Sequence, residues 1–174
     1  MLIYYYGNGK GKTTAALGAV LRAAGYGWQC LVLQAIKGQR VSGEKQSIGK
    51  HLSRKIEIRT LGQGFIGIQN DNKPIGQHQA AARKALREAR QAVNRGQHRL
   101  IVLDEYGDLP RLRRSYLKQI LSIAADAKEK NIHLIITGHL KQASLVNAAD
   151  LVTKMANIKH PYECGIMAIK GIDY

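Results

Sequence analysis

Tyr4-Tyr5-Tyr6-Gly7-Asn8-Gly9-Lys10-Gly11-Lys12-Thr13-Thr14 decides how this chain is read. Leu2 to Tyr6 is short, apolar and aromatic, as suits a buried strand. Three alternating glycines follow, and Thr13-Thr14-Ala15-Ala16-Leu17 opens a helical pattern. Strand, glycine loop and helix in that order make a phosphate cradle. Triphosphate oxygens are met by backbone N–H groups at close range, so side chains are excluded where the loop bends. Lys12 supplies a mobile positive charge, and the Thr13 hydroxyl is suited to Mg²⁺. The following helix points its positive end at the phosphates. The general pattern G-x-x-x-x-G-K-[ST] has its first glycine where this chain carries Tyr6, and Gly7 comes one residue late. Gly7, Asn8, Gly9, Lys10, Gly11, Lys12, Thr13 and Thr14 are the expected nucleotide contacts. A glycine-rich turn without a ligand is the alternative.

Outward from the loop, strands and helices alternate. Thr13 to Ala24 has helical spacing, stopped by Gly25 and Gly27, and Trp28 to Ile36 is an apolar run like a strand covered on both faces. Gln39 to Leu52 is polar, basic and weakly periodic, and reads as a flexible loop. Lys55 to Arg59 alternates like a strand near a sheet edge. The glycine-rich stretch Leu61 to Asp71 reads as a lid presenting Phe65 at a pocket mouth, or else Phe65 is a core plug. Ile75 to Asn94 is a long amphipathic helix with Ala81, Ala85, Ala89 and Val93 on one face.

Arg99-Leu100-Ile101-Val102-Leu103-Asp104-Glu105 is an apolar strand ending in two acids, the form of a Walker B strand. Asp104 is then the partner of Thr13 at Mg²⁺, and Glu105 points into the site as a base or orienting group. Further on come a helix from Arg114 to Lys130, a strand from Asn131 to Thr137, a short helix from Lys141 to Ala148 and a strand-like run from Asp150 to Met155. His139, just past a strand end, falls where open α/β sheets place ligands, as a phosphate contact or a structural histidine. The alternation predicts an α/β fold: a P-loop NTPase-like domain with a mainly parallel sheet of about five or six strands and helices on both faces. Gly7 to Thr13, Asp104, Glu105 and His139 converge on one rim.

The 174 residues suit a single domain, 1–174, and 45% hydrophobic content fits a globular protein. No window approaches the roughly 20 apolar residues of a membrane span, and no secretory signal is evident, so a cytoplasmic protein is expected. Cys30 and Cys164 are expected to be reduced, buried thiols. With 27 Lys and Arg against 12 Asp and Glu, the net charge is +15. Such an excess attracts nucleic acid, an anionic surface or nucleotide phosphates, or is simply solvated.

The motifs together resemble the ATP:corrinoid adenosyltransferases. Beyond the loop, the matching stretches are Ile36-Lys37-Gly38, Gly62-Gln63-Gly64-Phe65, Val102-Leu103-Asp104-Glu105, Ile136-Thr137-Gly138, Ala149 to Thr153, Lys159 to Tyr162 and Gly171 to Tyr174, in family order. The resemblance implies that Co(I) of a corrinoid attacks C5′ of ATP and inorganic triphosphate leaves. Lys12, Thr13, Asp104 and Glu105 then serve catalysis, Lys37 and His139 join the nucleotide contacts, and Gly64 and Phe65 meet the corrinoid. Mg²⁺ accompanies the nucleotide on Thr13 and Asp104. The resemblance also implies a homodimer, and the basic surface suits an acidic electron donor such as a flavoprotein. The chain has Tyr6 where the family usually has Thr, Gly67 where it has Trp, and His139 where it has Arg. Without the resemblance, the same residues read as an ATPase in which Glu105 activates water. A basic P-loop ATPase or nucleic-acid-binding module on the same frame, or a binder without turnover, are the competing expectations.

Overall fold

The computed structural model describes residues 1–38, 42–64 and 73–173. Six strands form one sheet: β1 (Leu2–Tyr6), β2 (Cys30–Gln34), β3 (Ile56–Thr60), β4 (Leu100–Asp104), β5 (His133–Gly138) and β6 (Leu151–Lys154). The order is β3-β2-β4-β5-β1-β6, and every pairing is parallel, as the alternating pattern predicted. All strands therefore end on one edge. The register brings Thr60 opposite Gln34, Gln34 opposite Asp104, and Tyr6 opposite both Gly138 and Lys154.

Successive strand residues face opposite sides, so a continuous apolar run serves two layers of helices. On one side Leu31, Leu33, Ile101, Leu103, Leu134 and Ile136 meet α3 (Ile75–Arg95) and α4 (Ser115–Glu129). On the other side Cys30, Val32, Ile56, Val102 and Ile135 meet α1 (Lys12–Gly25) through Ala16 and Val20. The row Ala82, Ala85, Ala89 and Ala92 lets α3 lie close to the sheet, while Leu86 and Val93 fill the remaining space. Burying each large aliphatic side chain contributes roughly 1.5–3 kcal/mol.

Several local expectations are corrected. The described part of Gln39–Leu52 is not loop: α2 (Gly43–Ser47) runs into a π-helical turn (Ile48–Leu52). Ile48 and Leu52, four residues apart, pack against the second core layer, a pair too sparse to register as periodicity. Pro110 sits inside a 3-10 turn (Tyr106–Arg111) that leads from β4 to α4. The short helix near the end is α5 (Ala143–Ala148). Cys30 is buried as expected, but Cys164 is exposed, because its 3-10 turn (Pro161–Cys164) lies outside both helix layers. Phe65 and Gly67 lie outside the described residues. No helix among the described residues is long and apolar enough to cross a membrane.

The loop after β3 is pressed onto the end of β2. A Cβ on Gly62 would stand 2.2 Å from the backbone carbon and oxygen of Ile36, whereas Gly18 in α1 has open space around it. Gly62→Ala is expected to destabilise the protein by about 2 kcal/mol or more, and Gly18→Ala to stabilise it by about 1 kcal/mol. Urea unfolding of the two variants checks both signs.

Candidate active site

The loop leaves β1 at Gly7, with φ 122°, and enters α1 at Gly11, with φ 106°, both in the region where glycine is favoured. It is wedged against the chain that follows β6. Met155 N–H donates to Tyr6 O at 2.7 Å, Gly9 N–H to Met155 O at 2.9 Å, and Asn157 N–H to Asn8 Oδ1 at 3.1 Å. A Cβ on Gly7 would lie 2.2 Å from Met155 O, and one on Gly9 2.5 Å from Ala156 O. These glycines are thus demanded by neighbouring backbone, a constraint that the phosphate argument had missed. The buried Lys12 ammonium donates to the carbonyls of Gly7 and Gly9 at 2.7 Å each, inside the ring of its own loop. Burial lowers the Lys12 pKa, against the pull of Asp108, Glu105 and Asp104. Lys10 is turned to Asp173 and to the Ile172 carbonyl, and Thr14 is exposed.

Asp104, fully buried at the end of β4, gathers donors from four directions. Its Oδ1 accepts from Thr13 Oγ1 at 2.9 Å and Thr137 Oγ1 at 2.8 Å. Its Oδ2 accepts from Gln34 Nε2 at 3.2 Å and pairs with Lys37 Nζ at 3.3 Å. Lys37 Nζ also donates to Thr13 Oγ1 at 3.2 Å. A single positive charge therefore spans the two oxygen groups proposed for a cation. Hydroxyl and carboxylate oxygens are the hard donors that Mg²⁺ takes, so the residues present fit that ion. Gln34 and Thr137 were not foreseen in these roles. The signal for Gln34 was a polar residue ending an otherwise apolar strand.

Glu105 follows in the left-handed conformation, φ 66°, a strained position for a residue with a Cβ. Its backbone N–H donates to Thr137 Oγ1 at 2.8 Å, and its Oε2 is buried with no hydrogen-bond partner. Burial, with Asp104 next to it, raises its pKa to about 7, and Lys37 and His139 partly oppose the shift. His139 joins this group from the end of β5. Its backbone N–H donates to Asp108 Oδ2 at 2.8 Å, and its Nδ1 lies 2.9 Å from the same oxygen. Gly64, with φ 110°, donates its amide to Ile36 O at 2.9 Å, one residue before Lys37. The structure brings Lys12, Thr13, Lys37, Asp104, Glu105 and His139 together, while the side chains of Asn8, Lys10 and Thr14 are engaged elsewhere or exposed.

The family model described as ATP:corrinoid adenosyltransferase BtuR/CobO/CobP matches residues 1–174. The chain belongs to that family. It is 32% identical over 174 residues to the corrinoid adenosyltransferase of Sinorhizobium sp, covering 100% of this chain and 80% of the relative. It is 33% identical over 176 residues to the corrinoid adenosyltransferase of Pseudomonas aeruginosa, covering 100% and 83%. To that of Escherichia coli K12 it is 30% identical over 174 residues, covering 100% and 85%. The family is one of transferases, and nothing favours the hydrolase or nucleic-acid reading.

The Glu105 pKa has a stability consequence. It is raised from 4.5 to about 7 in the folded chain, so the protein binds a proton there that the unfolded chain releases. That contribution is fully present below pH 4.5 and is lost as pH rises through about 7, a difference of up to about 3 kcal/mol. In chelator, urea unfolding between pH 4.5 and 8 is expected to show this slope in the wild type and not in Glu105→Gln. Identical slopes would remove the assignment.

Proposed function

We propose that residues 1–174 act as one domain that transfers the 5′-deoxyadenosyl group of ATP to the Co(I) centre of a corrinoid, cobalamin or cobyrinic acid a,c-diamide. The observation that carries this reading is the family match over the whole chain. The cobalt electron pair forms the bond to C5′, the C5′–O bond breaks, and its electrons leave with triphosphate. Because the nucleophile is the substrate's metal, the protein needs no base to make one. Its task is to hold and neutralise a leaving group whose negative charge grows.

Gly7 and Gly9 give their amides to Gly138 O and Met155 O, so the remaining loop amides up to Thr13 and the first turn of α1 are the donors for the triphosphate. Lys12 exchanges the Gly7 and Gly9 carbonyls for phosphate oxygens, a short movement of a buried ammonium. Mg²⁺ would be held by Thr13 and Asp104, and supplies further neutralisation of the triphosphate. Lys37 then gives up its bridging place and becomes available to the nucleotide. Glu105 is buried with its pKa raised to about 7, and because cobalt supplies the nucleophile its part here is to orient, not to activate water. Gly64 and Phe65 are assigned to the corrinoid.

Three features support the wider setting. Leu151 and Val152 on the edge strand β6 and Ile158 beyond it are exposed, which suits a homodimer contact. The +15 charge suits docking of an acidic flavoprotein as reductant. Free Cys30 and Cys164 suit a reducing, cytoplasmic compartment.

³¹P NMR of ATP and Mg²⁺ with the protein tests the reaction. Intact triphosphate is expected only when chemically reduced cob(I)alamin is added. ADP and phosphate formed without corrinoid would replace transfer by hydrolysis. Lys12→Ala is expected to lower adenosylation at least about 100-fold, and near-normal activity would overturn its role.

A further inference from the structure

We infer that Asp108 is a positioning residue for the leaving group: it locks His139 so that the free ring nitrogen, Nε2, is presented to the departing triphosphate. The inference rests on the reading that the Gly7–Thr13 loop holds the triphosphate.

Asp108 lies in the turn after β4, only 3% exposed, and its oxygens serve a single neighbouring segment. Oδ2 accepts the His139 backbone N–H and sits 2.9 Å from its Nδ1, and Oδ1 accepts the Leu140 N–H at 3.2 Å. Burial alone would push the Asp108 carboxyl upward, yet these bonds from His139 and Leu140 outweigh it and keep the group below its ordinary value. An ionised carboxylate can only accept, so Nδ1 carries a hydrogen and Nε2 is the nitrogen left over. Nε2 has no hydrogen-bond partner among the described residues, and the His139 side chain is 46% exposed. The anchor is inside and the ring is outside.

The location is set by close backbone contacts. A Cβ on Gly138 would stand 2.8 Å from Gly107 Cα, so the turn carrying Asp108 is pressed against the strand end carrying His139. Gly7 N–H donates to Gly138 O at 3.2 Å, so both adjoin the phosphate loop. The charged groups around the pair are Glu105 at the end of β4, Lys12 from the loop, and Arg111, 3.9 Å from Asp108 Oδ1. Lys141 follows on the same segment. Gln142, further along it, bonds the Gly107 carbonyl at 3.1 Å and ties the segment down again.

With Nδ1 already protonated, Nε2 can donate to a phosphate oxygen only if it is protonated too. Triphosphate is therefore bound by an imidazolium, and binding takes up a proton when the free ring is neutral. The donor is charge-assisted and aimed at the group on which charge develops as the C5′–O bond breaks. Asp108 supplies orientation and compensating charge without touching the substrate.

Calorimetric titration of the full chain with inorganic tripolyphosphate and Mg²⁺, without corrinoid, tests this in two buffers of different ionisation enthalpy. His139→Ala is expected to weaken binding roughly tenfold and remove the proton uptake. Asp108→Asn should weaken it several-fold, with no further loss when combined with His139→Ala. His139→Arg should restore binding without proton uptake. Equal losses from Asp108→Asn in the wild-type and His139→Ala backgrounds would mean a merely structural role and overturn the inference. Unchanged binding by His139→Ala, with binding lost in Lys12→Ala, would overturn it while leaving the loop reading intact. Unchanged binding in Lys12→Ala would remove both. If Asp108→Asn does not fold, the His139→Ala and His139→Arg pair still decides, because His139 is on the surface.

Discussion

A fully buried carboxylate is the constraint on which this structure turns. Asp104 sits at the centre of a parallel sheet, where an unpaired charge is far too costly to keep. Its compensation comes from Thr13 on α1, Gln34 on β2, Lys37 just beyond β2 and Thr137 on β5. Four parts of the chain must therefore be in register for one side chain to be satisfied. A one-residue slip of β4 would turn Asp104 to the other face and leave four donors without their acceptor. Breaking such a buried pair costs about 3–5 kcal/mol, so the cluster at the candidate site also holds the sheet in register.

The glycine loop from Gly7 to Gly11 is held by a second constraint of the same kind. Backbone from Met155 and Ala156 runs so close to Gly7 and Gly9 that no side chain fits at either position. The edge strand β6, exposed along its length, is thereby part of the site: it hydrogen-bonds the end of β1 and delivers the segment that braces the loop. Lys12 is closed into this ring by the carbonyls of Gly7 and Gly9. Glu105 adds stored cost in two forms, a left-handed backbone and a buried carboxyl oxygen with no partner. Packing around Asp104 and Thr137 holds it in place.

His139 illustrates how a half-exposed side chain can be fixed by a buried group. Histidine is a short side chain whose charge depends on pH. The structure places a buried carboxylate, Asp108, behind that ring and bonds it three times to the segment carrying the histidine. Gly107 and Gly138 make this possible by letting the two backbones meet.

Much of this was legible in the chain alone. Continuous apolar runs at Cys30–Gln34, Leu100–Asp104 and His133–Gly138 imply strands covered on both faces, and the helical spacing between them implies parallel connections, because burial on two faces leaves no polar alternation. Glycine, lysine and threonine after the first strand, and an acid ending another, likewise marked the loop and the carboxylate that the fold brings to it. The helix at Gly43–Ser47 was not legible, since its two anchoring apolar residues come after it, in the adjoining turn. Nor were Gln34, Thr137, Asp108 or the bracing of Gly7 and Gly9. Sequence by itself determined most of the elements and where the glycine loop lies, because periodicity and glycine placement are local properties of the chain. Only the tertiary structure decided which buried polar groups satisfy one another, because those partners are brought together from separations such as the 91 residues between Thr13 and Asp104.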